Sequence, residues 1–389
     1  MGIEELRKKI VGEISASRGE LAEISRRLHE NPEIAFEERR SSALLTEFLA
    51  SHGFTVEKGI CGLPTAFRAT YGQARPVIAF LAEYDALPKL GHACGHNLIA
   101  ASAVAAGLAA RRAVDALGGA IVVFGTPGEE LYGGKGIMAD RGAFDGVDVA
   151  MIAHPGGGNF FAMNTLACET LKVQFHGRAA HASAQPEAGV NALDAMVQSY
   201  NAINSLRQHI PARARVSGVI TDGGEAANII PAHTAATFIV RAENDFYLEE
   251  LKEKVINCFA GAAKATGAKL EYEWGEHYAT MATNMALARL FERNMASLGR
   301  PVPLGDNATM NFSTDVGNVS RLVPTIHPFV AIAPGDVPIH TPAFAEAAAT
   351  EAALDCLLDA ARAMAMTAAD VLADPKLLLK VRNEFDEGK

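Results

Sequence analysis

Gly91-His92-Ala93-Cys94-Gly95-His96-Asn97 is the stretch on which the reading of this chain turns. It lies just past Val77-Ile78-Ala79-Phe80-Leu81, an apolar run of strand length, and opens the alanine-rich helical pattern of Asn97 to Arg112. A thiol and an imidazole two residues apart therefore stand on a strand-to-helix loop, where an open α/β sheet forms its ligand crevice. The pair alone is a weak signal, because metal sites use three or more protein ligands. The remaining chemistry has to come from elsewhere in the chain.

Two more buried-strand runs end in functional residues. Ala120 to Phe124 leads into Gly125-Thr126-Pro127-Gly128-Glu129-Glu130, and Val147 to Ile152 ends at Ala153-His154-Pro155. Three such strands separated by helical sequence predict a mostly parallel sheet covered on both faces. Upstream, Ile3 to Leu28 carries one helical periodicity, closed by Asn31-Pro32, and Ser41 to His52 reads as a second helix ended by Gly53. After Cys168 the texture changes to strand-like runs at Thr170 to His176, Val216 to Ile220, Ala235 to Arg241 and Lys269 to Trp274. Helical patterns over Val190 to Gln208 and Leu248 to Thr266 accompany them, which predicts an α+β sandwich. From Asn284 the α/β texture returns and ends in a helix over Ala343 to Met366 and a second helical stretch reaching Lys380.

The chain has 389 residues, more than one hydrophobic core usually serves, so two domains are expected. Its net charge of -10 argues against a nucleic-acid partner, which would require a clustered basic face. The odd set of five cysteines forms no disulfide framework and fits a reducing compartment. The residues from Met1 to Ser15 have no secretory signal pattern, and the apolar run Leu98 to Ala110 is shorter than a membrane span. A cytoplasmic protein without a membrane partner is expected.

Glu129 and Glu130 are adjacent acids at a strand end, so one can ligate a metal while the other faces substrate. Taken singly, Glu129-Glu130 reads as a solvated turn, His154 as a capping histidine and His340 as an exposed loop residue. Taken together, Cys94, His96, Glu130, His154 and His340 offer sulfur, nitrogen and oxygen ligands enough for two first-row divalent ions. Such a pair would acidify a water and polarise a carbonyl, leaving Glu129 to act as the general base.

Leu81-Ala82-Glu83-Tyr84-Asp85-Ala86-Leu87-Pro88, the Gly91 to Asn97 stretch, Gly125 to Glu130, Ala153-His154-Pro155, Asn228-Ile229-Ile230-Pro231 and Ser313-Thr314-Asp315 occur in an order and spacing that resembles a known family. It is the dinuclear metallopeptidase and amidohydrolase family of the aminoacylases, indole-acetyl-amino-acid hydrolases and aminobenzoyl-glutamate hydrolases. Within it the chain is most similar to the branch that holds one aminobenzoyl-glutamate hydrolase type and the Xaa-Arg (β-alanyl-lysine) dipeptidase type, and the likeness runs over essentially the whole chain. The resemblance implies an α/β metallopeptidase catalytic domain (1–168 and 284–389) with an inserted α+β lid and dimerisation domain (169–283). It implies metal ligands at Cys94, His96, Glu130, His154 and His340, with Cys94 where other branches have a bridging carboxylate. Glu129 falls on the general base and Asp85 on the acid that orients the site. His181 falls on the lid histidine that steadies the oxyanion, often in the neighbouring subunit's site, and Asn228 and Arg241 on residues that grip the substrate. The physical roles suit these residue types: a donor such as His181 meets a developing oxyanion, and a guanidinium pairs with a carboxylate.

Two departures stand out. Asn97 occupies a position where much of the wider family has aspartate, and Glu83 one where some branches have a first histidine ligand, which leaves Glu83 as a spare carboxylate outside the metal set. Asp315 reads as support around the site and His327 as packing. The expected function is a metal-dependent hydrolase, holding two zinc or manganese ions and forming a homodimer, that cleaves a small amide or dipeptide next to a free carboxylate. Alternatives are an amidase for synthetic aryl amides or carbamates, a Cys94-His96 thiol hydrolase, and a non-catalytic ligand-binding relative.

Overall fold

The computed structural model describes residues 2–301 and 310–388. By packing, the chain divides into two compact units: Met1–Asn164, Met281–Ala308 and Asp315–Lys389 form the first, and Thr165–Thr280 with Thr309–Thr314 form the second.

The first unit is built on a six-stranded sheet. Its strands run, edge to edge, Thr55–Lys58, Phe67–Gly72, Ala120–Gly125, Val77–Ala82, Val149–Met151 and Thr325–Ile326. The first two pairings are antiparallel and the other three parallel, so the sheet is mostly parallel, as expected from the three apolar runs. Alternate residues of its central strands serve two cores, because side chains on a strand point to opposite faces. Ile78, Phe80, Ile121 and Val123 join the core that contains the alanine-rich helix, while Ala79, Leu81, Val122 and Phe124 join another. That helix spans His96–Leu117 and is apolar almost all round, since it lies between the sheet and the helix Glu351–Ala373. Alanine at most of its positions permits the close approach on both sides.

Some local readings need correction. The periodicity from Ile3 to Leu28 breaks at Ser17 into helices Ile3–Ala16 and Arg18–Glu30, each with its own buried face. The C-terminal pattern comprises three helices, Pro342–Ala348, Glu351–Ala373 and Pro375–Glu387. The side chains of Thr350 and Asp374 accept backbone N–H bonds and restart the second and third, which a run of alanines conceals. The strands Thr55–Lys58 and Phe67–Gly72 have no clean apolar run, being short or half-exposed.

The second unit is a four-stranded antiparallel sheet in the order Lys269–Tyr278, Ala167–His176, His233–Ala242, Arg215–Asp222. Leu171, Val173, Phe175, Ala236, Phe238 and Val240 form its buried face, packed with helices Ala192–Leu206 and Asp245–Thr266. Asn191 and Asn244 cap those helices through their side-chain oxygens.

His277 ties this sheet to a helix start: Nε2 lies 2.9 Å from Asp245 Oδ1 and Nδ1 3.6 Å from Glu169 Oε2. The hydrogen bonds to Asp245 and Glu169 push its pKa up to about 9. A histidine raised on folding adds stability below its unfolded value near 6.5, and that stability is lost as pH rises through about 9. Its side chain is 35% exposed, so screening holds the contribution to about 1 kcal/mol. Urea unfolding between pH 6 and 9.5 is expected to show this decline in the native chain and to lack it in His277→Gln; an unchanged slope would remove the assignment.

Candidate active site

The loop after Val77–Ala82, the loop after Ala120–Gly125 and the strand His154–Gly156 bring their functional side chains to one place. Cys94 Sγ lies 3.5 Å from His154 Nε2. Ligand atoms of Cys94, His96 and His154 lie within 4.8 Å of one another, as do those of Cys94, Glu130 and His340, and those of His96, Glu129 and Glu130. The five sequence-predicted ligands and Glu129 thus form one cluster. Gly95 permits this: its φ of +80 turns the chain between Cys94 and His96, and a Cβ there would lie 2.5 Å from Pro155 Cγ. His340 has φ +67, a conformation that costs a non-glycine residue energy, and its N–H is anchored on the Ala93 carbonyl at 2.9 Å. Glu129 and Glu130 open a short helix, Glu129–Tyr132, where the sequence suggested only a turn.

Asp85 organises the cluster from behind. Its Oδ1 meets His96 Nδ1 at 2.9 Å and its Oδ2 accepts the Glu130 backbone N–H at 3.0 Å. With the proton held on Nδ1, His96 turns its Nε2 lone pair inward. His154 does the same, since its Nδ1 donates to the Pro155 carbonyl at 2.6 Å. Burial lowers the His154 pKa to about 4, which keeps the ring neutral and able to ligate.

Around these lone pairs stand acceptors. His96 Nε2 lies 3.5 Å from Glu83 Oε2 and 3.9 Å from Glu130 Oε1. All three sites lack a hydrogen-bond partner although buried. Burial alone would keep His96 neutral, yet Cys94 and Asp85 raise its pKa well above the usual value. Glu129 is likewise raised well above the carboxylate range, by burial first and then by Glu83, Asp315 and Glu130. Burial also raises the Cys94 thiol. The cluster therefore calls for positive charge. A proton on Nε2 would find its acceptors beyond hydrogen-bond range, whereas ligands about 2.1 Å from a tetrahedral ion lie about 3.4 Å apart. Divalent cations fit this donor set.

Two residues that sequence reading missed support the site. Lys135 is wholly buried, with Nζ 2.7 Å from Glu83 Oε1 and 2.6 Å from Asp315 Oδ1. Burial would raise Glu83, but Lys135 and the neighbouring histidines bring it down to about 2. Asp315, despite the same ammonium, is raised by burial and by the charge on Glu83. Glu38, also buried, accepts the Gly128 N–H at 2.9 Å and the Thr65 hydroxyl at 2.9 Å, and so fixes the turn before Glu129. Burial and Asp85 raise its pKa to about 7. Neither residue carried a signal of its own beyond the excess of acids that a buried site must balance. His327 is buried beside His154, with ring centroids 5.5 Å apart.

In the second unit, His181 Nδ1 accepts the backbone N–H groups of Ser183 and Ala184, both at 3.2 Å. Its proton is therefore on Nε2, which becomes a donor. The Asn228 carbonyl accepts the Ala182 N–H at 3.0 Å, so these two loops are joined. They are tethered at the His233 end of the strand His233–Ala242, where the Ala232 carbonyl accepts the Gly177 N–H. Arg241 sits at the other end of that strand, opposite Cys168, about 26 Å along an extended backbone. Unlike the metal-ligand candidates, these three are not gathered at one point.

Residues 169–266 match the family described as the peptidase dimerisation domain. Over 98% of its length the chain is 39% identical to the Xaa-Arg dipeptidase of Mus musculus, covering 93% of that protein. The chain belongs to the M20 peptidase family. This M20 chain is also 30% identical, over 99% of its length and 96% of the relative's, to a p-aminobenzoyl-glutamate hydrolase subunit of Escherichia coli. A Bacillus subtilis protein described as a dinuclear metal-binding peptidase of the M20 family has the same fold, with a TM-score of 0.68 at 21% identity, covering 92% of this chain and 99% of that one. The M20 chain is an enzyme, a hydrolase of the peptidase and amidohydrolase kind. Among the described residues no helix is long and apolar enough to cross a membrane.

Proposed function

We propose that this M20 hydrolase is a metal-dependent dipeptidase that cleaves an amide bond next to a free carboxylate, with Glu129 as general base. The carrying observation is the inward-facing set of Cys94, His96, Glu130, His154 and His340 with Glu129 among them. Those five residues would hold two divalent ions, zinc or manganese, the thiolate favouring zinc. When bound, such ions withdraw electron density from a carbonyl and make water more acidic. Glu129 takes the proton of the attacking water and delivers it to the leaving nitrogen as the C–O bond forms and the C–N bond breaks. Asp85 keeps the His96 ring in the ligating tautomer. Of the lid residues, 169–283, His181 offers its Nε2 proton to the oxyanion, while Asn228 and Arg241 hold substrate oxygen and carboxylate.

A homodimer through the lid suits this division of labour. His181 and Asn228 lie toward one end of the sheet and Arg241 at the other, so two copies would supply one small substrate with both ends. The greater identity to the Xaa-Arg dipeptidase than to the aminobenzoyl-glutamate hydrolase supports a dipeptide with a C-terminal basic residue as first choice.

Chelated enzyme refilled with zinc or manganese should cleave an Xaa-Arg dipeptide or β-alanyl-lysine faster than aminobenzoyl-glutamate, N-acetyl amino acids or an aryl carbamate. Preference for aminobenzoyl-glutamate would move the substrate to the other branch. Activity that survives chelation but not thiol blocking would replace the metal reading with a Cys94-His96 one, and no cleavage with two ions bound would favour a binding protein.

A further inference from the structure

Glu83 is the carboxylate for which the sequence offered no role, and its two oxygens lead different lives. Oε1 is pinned 2.7 Å from Lys135 Nζ, inside a core where Lys135 is itself held by Asp315: Oδ1 lies 2.6 Å from Nζ, and Oδ2 accepts the Lys135 backbone N–H at 2.8 Å. The clamp is stiff, since Glu83, Lys135 and Asp315 are all at most 1% exposed. Gly134 lets the chain fold this tightly, because a Cβ there would lie 1.7 Å from the Pro127 carbonyl oxygen. With Oε1 fixed, Oε2 is aimed at His96 Nε2, 3.5 Å away.

That approach sets an anionic oxygen against a nitrogen lone pair. Asp85 takes the proton on the other ring nitrogen, so nothing between Oε2 and Nε2 attracts unless a cation lies there. Glu130 Oε1 faces the same nitrogen from 3.9 Å and also lacks a hydrogen bond. Three buried, partnerless ligand atoms converging within these distances describe part of a coordination shell, and an unpaired buried acceptor is otherwise costly.

We propose that Glu83 is a further metal ligand, its Oε2 sharing one ion with His96 Nε2 and Glu130 Oε1, and that Lys135 is the positioning residue that aims it. The proposal rests on the two-ion reading of the site and adds a sixth protein ligand to it. Lys135 thereby does for a ligating carboxylate what Asp85 does for a ligating histidine: it fixes the atom that does not touch the ion.

The test uses the full chain, stripped with a chelator and refilled with zinc. A crystal structure of the refilled native protein should place Glu83 Oε2 about 2.0–2.2 Å from an ion. Two ions bound with Oε2 remaining outside bonding distance overturn the proposal and leave the two-ion reading intact, whereas no bound ion overturns both. In solution, chelator competition followed by metal counting should show one of the two ions held about 10- to 100-fold more weakly, or worse, in Glu83→Gln, with the other unchanged. Equal affinities for both ions in a folded variant overturn it. If Glu83→Gln does not fold, the native refilled structure decides.

Discussion

Glu129→Gln is expected to lower kcat by about 10²- to 10⁴-fold while the protein keeps its metal complement. The amide is nearly isosteric, so packing in the cluster is preserved, but it cannot accept the proton of the attacking water. Glu129 suits the role because its neighbours oppose its charge: burial, Glu83, Asp315 and Glu130 all raise its pKa, which makes it a strong proton acceptor once cations restore the ionised form. KM should change little, as Glu129 acts on the transferred proton. Steady-state kinetics with parallel metal counting separates the roles: loss of an ion in the variant would recast Glu129 as a ligand, and retained turnover would end its assignment as the base.

Much of this site was legible because an α/β sheet delivers chemistry at strand ends, and apolar runs mark strand ends well. Val77–Ala82 and Ala120–Gly125 could each be bounded from sequence to within a residue or two, and the residues that follow them carry Asp85, Cys94, His96, Glu129 and Glu130. What could not be read depends on tertiary burial. Lys135 stands among glycines in a short helix, Gly134–Asp140, and nothing local distinguishes it from a solvated lysine. Its meaning lies in Glu83 and Asp315, which are distant in sequence and 2.7 and 2.6 Å away in space. Glu38 is hidden for the same reason, its partners Thr65 and Gly128 being 27 and 90 residues away. The separation of Arg241 from His181 and Asn228 follows from strand register, which a list of motifs does not contain.

Lys135→Met is expected to destabilise the protein by about 3–5 kcal/mol near neutral pH, the usual cost of removing one partner from a buried ion pair. Methionine fills similar volume, so the loss is one of charge: Glu83 and Asp315 would remain buried without their ammonium. The pH dependence distinguishes this from a packing defect. In the native chain Glu83 is depressed to about 2, so its contribution is present above its unfolded value near 4.5 and is lost only as pH falls through about 2. Lys135 is raised above 10.5, so its contribution is complete below that value and is lost only in strong alkali. Between pH 5 and 9 these groups therefore leave native stability flat. In the variant, burial without a counter-ion raises the folded-state pKa of both carboxyls above their unfolded values, so stability falls as pH rises through the acid range. Urea unfolding of chelated protein should show the full deficit at pH 8 and a smaller one at pH 5. An equal deficit at both would mean that Lys135 contributes through shape alone, and the electrostatic account of the Glu83-Lys135-Asp315 cluster would have to be given up.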